Sequence, residues 1–260
     1  MARRSGGKAG KSEEASPQKG ASDAVAGWVT LLTGFAISGY LLWQNRKGMD
    51  FAEFNLINTA FILWVPLLIV LLVLRREPGD FGMTGGEVGK GTVAAIVLFL
   101  CFLPVILFFA PKPGPQEYYL NWMGPISGSR AIRDIYWQGN SWSPGGQIDV
   151  LRLVHHQIVM GFYMFGWEWY HRGFLLWGLR RIMPVWAAVL VQAILFTVLH
   201  LGKPVEEVAS SFPGGLLMGV LALRFGSFLP CFLLHWLVSA GFDFAVLYFH
   251  FQNNPLPGGG

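Results

Sequence analysis

The sequence predicts an all-α fold, a polytopic transmembrane helical bundle of about seven to eight spans. Three observations predict it. The 260-residue chain is 53% hydrophobic and only 13% charged, against roughly 25% charge in a soluble domain. The apolar residues gather into runs close to the roughly 20 residues that cross a bilayer. A few ionisable residues sit inside those runs, where each costs about 2.5–3.5 kcal/mol and is retained for a reason.

Met1 to Ser22 is rich in Ala, Gly, Ser, Lys and Arg and reads as a disordered basic tail. The apolar run after it exceeds a signal-peptide core of about 7–15 residues, so the tail is expected to be retained. A membrane domain over residues 23–250 follows. Its first span is expected at Ala24–Trp43 and its second at Phe54–Leu74. The third is expected at Gly91–Ala110, kinked or interrupted at Pro104. A connection rich in Pro, Gly and aromatics runs from Pro111 to about Ile148. Its Tyr118, Tyr119, Trp122, Tyr136, Trp137 and Trp142 suit the headgroup level. The fourth span covers His156–Leu179 and stops at Arg180, Arg181 and Pro184. The fifth covers Val185–Leu201. A short sixth covers Val208–Leu223, with Gly214, Gly215 and Gly219 permitting close helix contact. The seventh covers Phe228–Phe249. Residues 251–260 read as a flexible tail.

If every span crosses, the basic tail, Arg75, Arg76, Arg180, Arg181 and Arg224 share one side. Arg46, Lys47, Arg130, Arg133 and Lys203 share the other. The larger group favours a cytoplasmic N-terminus, in a bacterial inner membrane. The net charge of +4 fits membrane lipids as partners better than nucleic acid. Cys101 and Cys231 both lie in apolar runs and imply no disulfide framework.

The chemistry lies in the polar residues of the later spans. Glu168 and Arg172 stand four apart on one helix face. Two readings hold together: an ion pair that offsets the burial of both charges, and a carboxylate oriented by Arg172 to activate a water. His200 ends the fifth span, where a lone histidine is more often a cap than a catalyst. A second histidine, His235, strengthens the functional case. Two imidazoles and a carboxylate can hold Zn²⁺, or polarise a water without metal. No His-Glu-x-x-His helix is present to favour zinc. His235 and Ser239 again share a face, and both can donate to an oxyanion. Against that, an intramembrane Ser commonly bonds its own helix carbonyl. Asp243 falls near the same face and is expected to pair elsewhere. Glu206 and Glu207, with Lys203, are read as a solvated face or the start of the sixth helix. Binding of a cationic substrate group is the minority reading there. His155, His156, His171 and His250 show no comparable constellation.

Three blocks occur in order: Glu168-Trp-Tyr-His-Arg172-Gly-Phe-Leu-Leu, Phe196-Thr-Val-Leu-His200, and His235-Trp-Leu-Val-Ser239. Over roughly Gly166 to Asp243 the chain thereby resembles the CAAX protease and bacteriocin-processing family, also called the Abi or CPBP family. The resemblance implies a CAAX-protease-like bundle with its core at 150–250 and an intramembrane endopeptidase activity of the glutamic type, needing no cofactor. It implies a substrate that is a membrane-anchored or lipidated protein or peptide. It also implies that Glu168 and His200 activate water while His235 donates to the oxyanion. The chain departs from the family pattern twice. Trp167 stands where the first of two adjacent glutamates is usual, and Ser239 stands where asparagine is usual. Either Glu168 does the work on a rotated helix, or the site is altered and the protein acts in bacteriocin immunity or as a scaffold. A proton-coupled transporter is a third reading, and the absence of a repeated half speaks against it.

Overall fold

The computed structural model describes residues 21–49, 51–122 and 150–253, and among them it is helical with no strand. Most of the two expected tails, at residues 1–20 and 254–260, lies outside the described residues, as do Arg130, Arg133, Tyr136, Trp137 and Trp142.

Among the described residues the helices form seven passes. Helix α1 spans Asp23–Gln44. Ser22 belongs to its start, not to the tail: its Oγ accepts the Val25 N–H at 3.3 Å and caps the helix. The second pass is irregular. Helices α2, Phe51–Thr59, and α3, Val65–Leu68, alternate with π-helical turns at Ala60–Trp64 and Ile69–Val73. The extra residue per turn shifts the apolar face as the pass crosses its neighbours. Helix α4, Val88–Phe109, is continuous through Pro104. Inside a membrane bundle neighbouring helices and local adjustment tolerate such a proline. The connection after it begins with a further helix, α5, Pro113–Trp122.

The fourth pass is the longest. It comprises α6, Val150–Glu168, a seven-residue π-helical stretch, Trp169–Leu175, and the short α7, Leu176–Leu179. Helix α8, Val185–Val198, ends sooner than expected and releases His200 into a turn. Helix α9, Val205–Phe225, is longer than expected and absorbs Glu206 and Glu207 as its first turn. Helix α10 spans Leu229–Asn253. Five helical segments are long and apolar enough to cross a membrane: Asp23–Lys47, Ala52–Val73, Val88–Phe109, Val205–Phe225 and Leu229–His250. The protein is an integral membrane protein. Its outer surface agrees, with Trp28, Leu32, Leu72, Phe108, Trp186 and Val220 exposed. Such a surface suits lipid and would promote aggregation in water.

Contacts between the ends of the passes set the topology. At one end Asp23 binds both Arg181 and Arg76, the latter at 3.0 Å. Arg181 also donates to the Asp80 carbonyl at 2.9 Å. The Glu87 N–H reaches the Phe225 carbonyl at 2.9 Å, and Arg224 lies 3.5 Å from the Glu87 carboxylate. Arg76, Arg181 and Arg224 therefore share one end, as the span count requires. Lys203 falls at the other.

Small residues set how closely the passes approach. Gly215 and Gly219 bring α9 onto α8: a Cβ at Gly215 would stand 3.0 Å from the Ala193 Cβ, and one at Gly219 would stand 2.7 Å from the Gln192 amide nitrogen. Gly214 faces open space instead. The tightest approach joins α1 to α7, where a Cβ at Gly178 would stand 2.2 Å from the Thr30 Oγ1. Gly178→Ala is therefore expected to destabilise the protein by about 1–3 kcal/mol through overpacking. Gly39→Ala, where nothing lies within 4 Å, is the control and costs nothing. Thermal unfolding midpoints in detergent compare the two.

Candidate active site

The fourth pass carries its polar cluster where α6 gives way to the π-helical stretch. Glu168 is the last residue of α6, and Arg172 lies in the widened turn beyond it. Both side chains are fully buried, with Arg172 Nη1 donating to Glu168 Oε1 at 3.0 Å. The Arg172 guanidinium also stacks 4.1 Å above the Phe196 ring. The same carboxylate oxygen accepts a 2.6 Å hydrogen bond from His235 Nδ1, brought in by α10 from 67 positions away. Glu168 thus binds two cationic-type donors through one oxygen. Its Oε2, and Arg172 Nε and Nη2, have no hydrogen-bond partner among the described residues.

A cavity of about 480 Å³ lies beside this cluster. It is walled by α4, α5, α6, α9 and α10 and by the turn before α9. His200, His235 and Ser239 all line it. Glu168 does not, and its side chain is closed off behind His235. Glu168, expected from the sequence to activate a water, has one carboxylate oxygen shared by Arg172 and His235. His235, only partly buried, is the member of the cluster that the cavity reaches.

His200 is held independently. Its Nδ1 donates to the Phe196 carbonyl, one turn back, at 2.7 Å. A carbonyl only accepts, so Nδ1 carries the proton, and Nε2 of the neutral ring presents a lone pair. Nε2 lies 3.8 Å from Glu207 Oε1. The ring is packed between Phe196, 4.4 Å between centroids, and Trp167, 5.5 Å. Trp167, the residue in place of a glutamate, therefore backs His200 from the bundle interior. Phe196 also touches the His235 ring, at 5.7 Å.

Three carboxylates that the sequence left in lesser roles, Glu206, Glu207 and Asp243, also line the cavity. Glu207 is not a solvated face. Its Oε1 accepts from Lys203 Nζ at 2.5 Å and its Oε2 from the Tyr119 hydroxyl at 3.0 Å. Burial pulls the Lys203 ammonium downwards, but the neighbouring Glu207 carboxylate outweighs it, and the net shift is upwards. Lys203 stays a cation. Asp243 pairs with His156 at 3.3 Å and accepts from Gln157 at 2.8 Å, so His156 has the constellation that sequence spacing did not reveal. Tyr119 lines the cavity and stacks on Phe242, 5.6 Å between centroids. His171 is buried, with Nδ1 donating to the Trp167 carbonyl at 2.9 Å. Among the described residues no three His, Cys, Asp or Glu side chains converge as a metal ligand set.

Arg172 is the most exposed to loss of a partner. Arg172→Met leaves the buried Glu168 charge without its cation and is expected to cost about 3–5 kcal/mol. The measurement is the unfolding midpoint in detergent. The double variant Glu168→Gln with Arg172→Met should recover part of that loss.

No curated protein and no solved structure matches the chain. Residues 153–241 match a family model described as "Rce1-like: Type II CAAX prenyl endopeptidase Rce1-like". The matched stretch begins in α6 and ends in α10, so it contains Glu168, Arg172, His200, Glu207, His235 and Ser239 and most of the cavity wall. Over this helical core, about a third of the chain, the protein is similar to the Rce1-like family of type II CAAX prenyl endopeptidases.

Proposed function

We propose that the protein is an intramembrane endopeptidase that hydrolyses a peptide bond near the membrane-associated or C-terminal end of a protein substrate. The observation that carries this reading is that His200 and His235, from two different passes, line one largely apolar cavity. His200 Nε2 offers a lone pair to a water. His235, held by Glu168, and Ser239 one turn further along face the place where a carbonyl oxygen would gather charge. His235 is held at that place by its 2.6 Å hydrogen bond to the Glu168 carboxylate. Glu168 and Arg172 act through His235 by fixing its ring and tautomer.

The apolar lining, with Leu98, Phe102, Val105 and Leu217, suits a lipidated or hydrophobic segment. Membrane lipids and a membrane-anchored or lipidated protein are the partners this implies. The clustering of Arg76, Arg181 and Arg224 at one end supports a cytoplasmic N-terminus in a bacterial inner membrane. A second reading, an altered member acting in bacteriocin immunity or as a scaffold, draws on one observation: Glu168 is shut away from the cavity.

The test is release of a C-terminal fragment from a farnesylated peptide, together with a comparison of membrane-protein C-termini in cells with and without the protein. His200→Ala and His235→Ala are expected to lower kcat by about 10²–10⁴, and Ser239→Ala by about 10². Cleavage undiminished in both histidine variants removes the hydrolase reading. Protection against a peptide toxin that persists in those variants establishes the second. For orientation, a membrane-impermeant maleimide added outside intact cells should label Lys203→Cys and spare Arg181→Cys.

A further inference from the structure

The hydrolase reading leaves one chemical role unfilled, because the carboxylate nearest the motif does not reach the cavity. Glu168 is spent on Arg172 and His235. The geometry points to Glu207 as the carboxylate that holds and deprotonates the attacking water, in partnership with His200. This inference rests on the hydrolase reading and identifies its base.

Three observations carry it. Glu207 and His200 line the same cavity. Glu207 Oε1 and His200 Nε2 stand 3.8 Å apart, and both are acceptors, since the His200 proton is committed to Phe196 through Nδ1. Two acceptors at that separation do not bond each other directly. A single water donating one O–H to each spans them, and its lone pair is then left free to attack. Finally, Glu207 is held in place: Lys203 fixes Oε1 at 2.5 Å and the Tyr119 hydroxyl fixes Oε2 at 3.0 Å. Trp167 packs edge-on against one side of the His200 ring, 5.5 Å between centroids, and Glu207 lies on the cavity with Nε2.

The step balances without a co-reactant. The water oxygen forms a bond to the carbonyl carbon as one water proton passes to Glu207. The carbonyl π electrons move onto oxygen, facing His235 and Ser239. Collapse of the tetrahedral species breaks the C–N bond, and the proton on Glu207 goes to the departing amine nitrogen. The products are a carboxylic acid and an amine, and Glu207 is again a carboxylate. Glu207 acts as base and then acid, while His200 accepts the water's second O–H and aligns it.

The ion pair with Lys203 offers a plain structural role, and the experiment separates the two. The probe is a farnesylated, internally quenched peptide cleaved by the full-length protein in detergent micelles. Glu207→Gln is expected to lower kcat at least 100-fold with KM within about threefold of wild type. Glu207→Asp recovers part of that rate. Lys203→Met, which keeps the carboxylate and removes its ion pair, lowers kcat by less than Glu207→Gln does. Combining Glu207→Gln with His200→Ala should cost little more than either change alone, as for groups acting on one water. If Glu207→Gln stays within threefold of wild type while His200→Ala abolishes cleavage, the role of Glu207 is overturned and the hydrolase reading stands. Equal losses in Lys203→Met and Glu207→Gln, with no recovery in Glu207→Asp, reduce Glu207 to a structural partner and also overturn it. If wild type cleaves neither the peptide nor any membrane protein, both inferences fall together.

Discussion

The shared oxygen of Glu168 is the interaction on which the functional half of the bundle depends. One carboxylate, fully buried, accepts from Arg172 within its own pass and from His235 on α10. Desolvating two charges of this kind nearly cancels their attraction, so the pair adds little net stability. What it supplies is position. A buried carboxylate left without donors is costly, so α10 cannot slide or rotate without exposing Glu168 to that cost. His235 is therefore presented to the cavity in one orientation.

The widened helix makes this possible. A regular helix through Trp169–Leu175 would carry Arg172 and Gly173 at different angles to the neighbouring passes. The π-helical stretch lets Arg172 stack on Phe196 of α8 while still reaching back to Glu168. It also leaves Gly173 against the Phe81 carbonyl, 3.0 Å from where a Cβ would sit. Widened turns of this kind recur at functional sites because they re-aim a side chain without ending the helix. The second pass uses the same device twice, and the first of its widened turns, Ala60–Trp64, packs beside α6.

The cavity has two polar walls that differ in how they are built. The His235 wall is supported from inside the bundle by buried ionic partners. The His200 wall is supported by the turn between α8 and α9, where Lys203, Glu207 and Tyr119 meet at the end of the bundle. Lys203 and Glu207 on the second wall are partly exposed, whereas Glu168 and Arg172 behind the first are fully buried. That asymmetry suits a reaction in which water arrives from one side and charge develops on the other. It also explains how the chain can carry tryptophan at 167. The indole packs edge-on against His200, and Glu207 lies 3.8 Å from the imidazole Nε2.

Much of this was legible in the sequence, and the reason is chemical. Lipid leaves few options for backbone polar groups, so length and apolarity alone mark the passes at Asp23–Gln44 and Leu229–Asn253. Ionisable residues inside such runs are rare enough that Glu168, Arg172, His200 and His235 stood out without any structure. The spacing of Glu168 and Arg172 by four predicted their ion pair, because one helix turn brings them together. The contacts between passes were not legible. Tyr119 lies 88 positions from Glu207 and Asp243 lies 87 from His156, and no local periodicity connects residues that meet only when separate helices pack. Helix phase decided the rest: which of two carboxylates faces the cavity depends on the rotation of α6 and the docking of α10. Composition and spacing determine that this chain spans a membrane and buries a reactive set. Only the packing of its helices decides that Glu168 supports the site from behind while Glu207 stands at its open side.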